Sequence, residues 1–376
     1  MPVPASAQVR TQAPGGGDIR WLGQAGLVAS LKWSSVVPGG ADQFSGLLQV
    51  PAGRRDPAVA VGRQVQVYRG LQCVWDGQLD EPTPQQDGWL ITAHGAGTFG
   101  NQFRALWTAT WASGDGPDSA VNGAIGRGMR WVNPGIGHTV LPASAWLGQT
   151  PDNSSLAITD VMTLICARGG LLWKVTTGVS GNLLSIYPLP TATTRLLVAT
   201  TPVARQVAGL VNAVSVRYQD SGTPTFNTVW ATSPALIAAY GRIEQYIDIS
   251  SAGTVLAAVA TSVGNYALAR YQQVAWGGPF VVAPGQYLTN RGSPVDLGTE
   301  RAGEVVRPLG ADFGGQVNLG LPPTFIAGQV EYDDETGTLA VTPWGSVRTD
   351  WQALVAARTT FHPGRGDPFG FKGTTV

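Results

Sequence analysis

Few residues in this chain have the types and spacing that chemistry needs. Two groups of carboxylates come first: Asp76 with Asp80, and the run Asp333, Asp334 and Glu335. A glycosidase needs an acid and a base or nucleophile about 5–10 Å apart. Asp333 to Glu335 falls in a turn between two alternating runs, where carboxylates cap backbone amides and meet water. That run also offers too few oxygen ligands, at the wrong spacing, for a calcium loop. The three histidines are His94, His138 and His362. None lies in an H-E-x-x-H pair or beside a second ligand, so no zinc site is expected. Cys73 and Cys166 form no C-x-x-C and sit in apolar sequence, where a cysteine behaves as a small buried hydrophobe. No G-x-S-x-G elbow and no phosphate-binding loop is present. Gly126 and Gly128 lack the strand-turn-helix setting of a nucleotide site. No catalytic, cofactor-binding or metal-binding residue is therefore assigned, and no cofactor and no enzymatic activity are expected. Arg365-Gly366-Asp367 spells an adhesion tripeptide and is read as chance.

The composition is that of a packed, turn-rich protein. The 376 residues exceed one ordinary core and suggest two to four domains. Fifty glycines and 26 prolines without a period suit many short strands and turns. Basic and acidic residues balance at 24 each, so there is no global charge to draw nucleic acid or a membrane surface. Charged residues are only 13% of the chain, about half the usual share, which points to a surface covered by neighbours in an assembly. Only Lys32, Lys174 and Lys372 are lysines, a bias that suits a GC-rich genome. Met1 to Gly17 lacks the pattern of a signal peptide, and no apolar run is long enough to span a bilayer. Synthesis in a cytoplasm, with both thiols staying reduced, is expected.

The elements expected to position these residues are mostly strands. Val65 and Val67 alternate with glutamines. Leu71, Cys73, Trp75, Gly77 and Leu79 alternate after the turn Arg69-Gly70, giving a hairpin. Phe44 to Val50 and Trp89 to Ala93 read as further strands, and His94 ends the second. Trp33, Trp75, Trp89 and Trp173 lie on alternating faces and are expected in cores. Ser119 to Val132 reads as a helix weakened by three glycines. Ile158, Val161, Met162 and Ile165 mark a firmer one, ended by Gly169-Gly170. Strands follow at Leu171 to Val175, Leu183 to Tyr187 and Val214 to Tyr218. Ser233-Pro234 opens a helix that Gly241 closes, and Val255, Val259, Val263 and Tyr266 stripe another. Val330 and Tyr332 should face Leu339 and Val341 across an acidic hairpin tip. A short helix is expected over Asp350 to Arg358, followed by a loose tail.

The pieces Gly62-Arg63-Gln64-Val65-Gln66-Val67, Val74-Trp75-Asp76-Gly77-Gln78-Leu79 and Gly88-Trp89-Leu90-Ile91-Thr92-Ala93-His94-Gly95 resemble, in order and spacing, the N-terminal barrel of phage tail hub proteins. The chain is similar to minor tail proteins of actinobacterial siphophages and, more distantly, to the baseplate hubs of contractile tails. The strand Val214 to Tyr218 followed by Tyr240-Gly241-Arg242, and the hairpin Gly328 to Pro343, agree. The resemblance implies a mainly β fold with α+β insertions and two antiparallel β-barrel domains. The division it implies is a flexible arm over 1–20, a first barrel over 21–103 and an α+β domain over 104–195. A discontinuous second barrel would take 196–230 and 305–358 around a helical insertion at 231–304, leaving a tail over 359–376. It implies a homotrimeric tail-tip hub that joins the tail tube to the tip or baseplate. Such a hub lines or closes the DNA channel during host attachment and genome ejection. The partners implied are the distal tail or tail-tube protein, the tape-measure protein and other tail-tip or receptor-binding proteins, with no sequence-specific nucleic acid and no membrane span. The virion tail tip is the implied location. A second reading, from the 13 tryptophans, is a carbohydrate-binding receptor-recognition module; it requires exposed Trp or Tyr rings in a groove.

Overall fold

The computed structural model describes residues 7–50, 57–104, 116–134, 157–178, 181–198, 210–220, 222–223, 225–250, 254–273, 276, 279–309 and 323–346. His138, His362, the Arg365-Gly366-Asp367 tripeptide, the helix expected over Asp350 to Arg358 and the tail over 359–376 lie outside the described residues.

The first third is a run of strands: β1 (Ala7–Gln12), β2 (Ile19–Trp21), the single turn of helix α1 (Leu22–Ala25), β3 (Leu27–Val36), β4 (Gly39–Gln49), β5 (Gln64–Arg69), β6 (Gln72–Leu79), β7 (Thr83–Gln85) and β8 (Gly88–Gly95). The hairpin β5–β6 forms as expected, with Val65 and Val67 fully buried. Its phase differs from strict alternation. Val67 pairs with Trp75 and Tyr68 with Cys73, so Val74 is the extra residue of a bulge. Leu71, expected inward on the strand, instead sits in the turn before β6 and is fully exposed, and Val74, Trp75 and Asp76 are buried in succession around the bulge. Arg69, read as turn, is the buried last residue of β5. Within the flexible arm expected over 1–20, residues 7–12 and 19–20 are in strands instead. Residues 7–12 pair along all of β5, and Val9 and Thr11 point inward. Two inward residues between polar ones are too short a pattern to stand out, but the β5 backbone completes it.

The middle third holds α2 (Gly116–Gly126), α3 (Ile158–Gly169), β9 (Leu171–Gly178) and β10 (Gly181–Pro188). Val121, Trp131, Ile158, Met162, Ile165, Trp173 and Leu184 share one core. α3 ends where its glycines require, with Gly170 left-handed at φ 68°. The helix expected to reach Val132 stops at Gly126. Val132 instead exchanges backbone hydrogen bonds with Asn182 and Leu184 of β10, at 2.7 and 3.0 Å.

The last part runs β11 (Arg195–Val198), β12 (Ala213–Asp220), β13 (Phe226–Thr232), α4 (Pro234–Tyr240), β14 (Glu244–Asp248), β15 (Thr254–Val255), α5 (Ala257–Gln273), β16 (Phe280–Val282), β17 (Tyr287–Thr289), β18 (Val305–Leu309), β19 (Phe325–Asp333) and β20 (Thr338–Pro343). β19 and β20 pair as expected, Val330 with Val341 and Tyr332 with Leu339. α4 starts at Pro234 after Ser233, whose side chain makes no cap hydrogen bond.

Pairing does not follow the expected discontinuous barrel. β12 is the centre of a separate sheet, with β13 antiparallel and β14 and β15 parallel to it. Val259, Val263 and Tyr266 of α5 pack with its Val214, Val216 and Ala231. The stripe on α5 needs an apolar sheet face, and β14, only five residues with acids at both ends, hides its own alternation. β19 instead pairs with β3, so the C-terminal strands extend the N-terminal sheet. That mixed sheet runs β17-β11-β18-β19-β3-β4-β8-β6-β5-β1-β2. The protein is mainly β with helices, and the pairing of the described strands closes no barrel.

Candidate functional site

Of the polar residues singled out by sequence, Asp80 and His94 line a cleft on one face of the large sheet, and Asp333 stands in the adjoining row. Side chains two apart on a strand share a face, and the register aligns them across four strands. His94 (β8) pairs with Gln43 (β4), whose amide donates to the Ser34 hydroxyl of β3 at 3.1 Å; Ser34 pairs with Glu331 of β19. The next row is Thr92, Ser45, Lys32 and Asp333. Trp33, Phe44 and Ala93 alternate to the other face and are buried. The polar side chains floor an open cleft of about 360 Å³, with Asp80 at one rim and Glu331 at the other.

His94 ties the rim. Its Nδ1 is 2.9 Å from Asp80 Oδ1, and its Nε2 is 2.9 Å from the Gln102 side-chain nitrogen. An amide N–H donating to Nε2 leaves the ring proton on Nδ1, donated to Asp80. The nitrogen a general base would use is thus already accepting a hydrogen bond. Burial pushes the Asp42 carboxyl up, the Ser34 hydroxyl pulls it down, and nearby Glu331 adds to the rise.

The carboxylates proposed as catalytic pairs have separate partners. Asp76 is buried and accepts from the Gln64 and Gln66 amides at 2.6 and 2.8 Å, with its Oδ1 unpaired. Burial raises its pKa, against the pull of Gln66, Arg130 and Gln64. Asp80, half exposed, belongs to His94. Asp333 Oδ1 accepts from the backbone of Glu335 and Thr336, the turn-capping role expected of it, and Oδ2 meets Lys32 Nζ at 2.9 Å. Partial burial raises its pKa, but Lys32 and the two amides outweigh that and hold it low. Glu335 accepts from the Ser30 hydroxyl. Among the described residues no three His, Cys, Asp or Glu side chains gather as a metal site.

Asp334 leaves the turn for a cluster that sequence reading missed. Arg69 lies almost wholly buried between Asp334 and Asp296, at 2.9 and 3.0 Å, with its guanidinium over the Tyr332 ring. A second cluster sets Arg195 in a two-pronged pair with buried Glu300 at 2.9 Å. No local signal marks these pairs, because their members are far apart in sequence. Of the tryptophans, Trp33, Trp75 and Trp173 are buried as expected and Trp89 is half-buried. Phe226, Trp230 and Tyr246 are instead exposed together on the outer face of the β12 sheet.

No protein-family model and no curated protein matches the chain by sequence. Solved structures match it along nearly its whole length. The 43 kDa tail protein of a Shewanella oneidensis prophage is 13% identical, with a TM-score of 0.56 over 90% of this chain and 97% of that one. A tail protein of Neisseria meningitidis is 10% identical, with a TM-score of 0.58 over 91% and 96%. A prophage tail protein of Listeria monocytogenes is 10% identical, with a TM-score of 0.54 over 93% and 97%. The chain has the fold of these phage tail proteins.

Proposed function

We propose that this chain is a non-enzymatic structural subunit of a phage tail tip, a hub that joins the tail tube to the tip or baseplate. The observation that carries the reading is the match with three tail proteins over 90–93% of this chain and 96–97% of theirs. In this reading the chain is made in the host cytoplasm, assembles as a homotrimer and resides in the virion. It contacts the distal tail or tail-tube protein, the tape-measure protein and other tail-tip proteins. Two barrel-like halves of each subunit, built on the large sheet, would surround the DNA channel.

The polar face between His94 and Asp333 suits such a lining. Its charges are mixed in sign, Lys32 against Asp333 and Glu331, so it has nothing to hold a polyanion in passage. No helix among the described residues is long and apolar enough to cross a membrane.

The exposed rings of Phe226, Trp230 and Tyr246 favour a second reading, carbohydrate binding in receptor recognition. Light scattering on the purified chain over a range of concentrations separates the two. A trimer, or a shift from monomer to trimer, supports the hub. A stable monomer that binds cell-wall glycan supports the receptor module.

A further inference from the structure

The β12 sheet has two open edges, and backbone hydrogen bonds show which residues line them. On one side Asp220 N–H donates to the Thr225 carbonyl, and Ser233 N–H to the Asn212 carbonyl. Antiparallel bonding alternates, so residues 225, 227, 229, 231 and 233 face β12. Phe226, Thr228, Trp230 and Thr232 of β13 therefore turn their N–H and C=O groups outward. On the other side Ala213 N–H donates to the Ile243 carbonyl, and Ile249 N–H to the Arg217 carbonyl. Glu244, Tyr246 and Asp248 of β14 turn outward by the same count. Neither edge pairs with any other described strand.

Proteins guard such edges with short strands, charges, prolines and bulges. The other margins of the fold obey this. β2, β7, β16 and β17 have three residues each, and β7 carries Pro84. β10 is partly covered by Val132 and ends at Pro188. β13 has seven residues, no charge, no proline and an unbroken register. An unguarded edge of that length is a template for another strand.

The face beside it has the residues of a protein contact. Phe226, Trp230 and Tyr246 are 57%, 46% and 54% exposed, with Trp230 and Tyr246 in one row on either side of Ser215. The Arg242 guanidinium lies 4.4 Å from the Trp230 centroid, and that of Arg217 4.6 Å from the Phe226 centroid. Trp, Tyr and Arg dominate binding energy between proteins. The guanidinium groups also occupy ring faces on which a sugar would stack.

We infer that β13 of one copy adds to β14 of a second copy, so that the sheet continues from subunit to subunit; this rests on the self-assembling reading above. The joint is head-to-tail, the kind that closes into a ring by rotation. It leaves neither edge open. β13 brings no charge against Glu244 and Asp248, whereas two β14 edges together would oppose like charges.

Thr228→Pro removes one outward N–H and none of the bonds to β12, a position at which edge strands accept proline. Thr228→Lys places a charge on the same edge. In ultracentrifugation of the full chain, the wild type assembles, and both variants weaken assembly at least tenfold without lowering the melting temperature. A double variant, Thr228→Cys with Tyr246→Cys, reports the geometry. Within one chain these positions lie two strand spacings apart and two residues out of row, roughly 12 Å, beyond the reach of a disulfide. Oxidation of the double variant therefore gives covalent oligomers, and neither single variant does. Covalent dimers from Thr228→Cys alone would mean that β13 pairs with itself, and would overturn the head-to-tail joint. Assembly indifferent to both Thr228 variants, with no cross-links, overturns the joint while leaving the hub reading standing. A wild type that stays monomeric and a double variant that never cross-links overturn both.

Discussion

The Arg69 guanidinium meets the Asp334 carboxylate at 2.9 Å, joining positions 265 residues apart. Asp296 grips the other side of the same guanidinium, which is 2% exposed. One side chain at the end of β5 therefore holds the tip of the β19–β20 hairpin and the loop before β18. It locks the C-terminal strands onto the N-terminal sheet just beyond the end of the β3–β19 pairing, where the Asp334 N–H donates to the Leu31 carbonyl.

Arg69→Ala removes the shared cation and leaves two carboxylates beside a new void. Breaking a buried pair from one side costs about 3–5 kcal/mol. Because both acids are partly in water, the expected loss is at the lower end, about 3 kcal/mol. Asp334→Asn keeps the packing and the Asp296 contact, and should cost less than half as much. Urea unfolding curves of the two variants check the order; equal losses would mean that the guanidinium packs without pairing.

Asp76 makes stability fall as pH rises. Its folded-state pKa lies above the unfolded value of 3.8, first because of burial. The folded state therefore holds the proton more tightly. The contribution is fully present below the unfolded pKa and is lost as pH rises through the folded one. Asp76→Asn cannot ionise. The stability of wild type relative to this variant should decline from about pH 4 upward. Asp333, held low chiefly by Lys32 against its partial burial, has the opposite sign: its contribution is present at neutral pH and lost as pH falls below 3.8. Chemical denaturation across pH 3 to 7 on the wild type, Asp76→Asn and Asp333→Asn resolves both slopes.

The turn before β6 separates two residues that alternation treats alike. Leu71 is fully exposed and Trp75 is 1% exposed. Leu71→Lys should change stability by less than about 0.5 kcal/mol, whereas Trp75→Ala should cost about 3–5 kcal/mol. Comparable losses at the two positions, read by thermal or urea unfolding, would contradict the placement of Leu71 in the turn.

Both thiols should be inert while the chain is folded. Burial raises the Cys73 pKa to about 12, and that of Cys166 still further. The thiolate is the reactive form, so iodoacetamide at pH 8 should label neither residue until denaturant is added. Labelling of the native chain would show that these sites open, and mass spectrometry of the modified peptides would say which.

The chain's own order of residues determined its local elements. β5 and β6 around Gly70, the stripe of α3 ended by Gly170, Pro234 at the start of α4, and the facing pairs Val330–Val341 and Tyr332–Leu339 are all legible. They depend on period and turn chemistry, which act over a few residues. The turn-capping role of Asp333 is legible for the same reason.

Only the tertiary structure decided the rest. It made 7–12 a strand, because β5 supplies the partner those residues lack alone. It gave β12 and β13 to the α5-backed sheet and β19 to the N-terminal one, since many strands can satisfy one apolar face and closeness in space selects among them. It gathered His94, Gln43, Ser34 and Glu331 in a row, and Arg69 with Asp296 and Asp334, through registers that no spacing along the chain encodes. The exposed rings on β13 and β14 belong here too: alternation says that an aromatic residue takes one side of a strand, and only the packing of α5 determines which side is left to face outward.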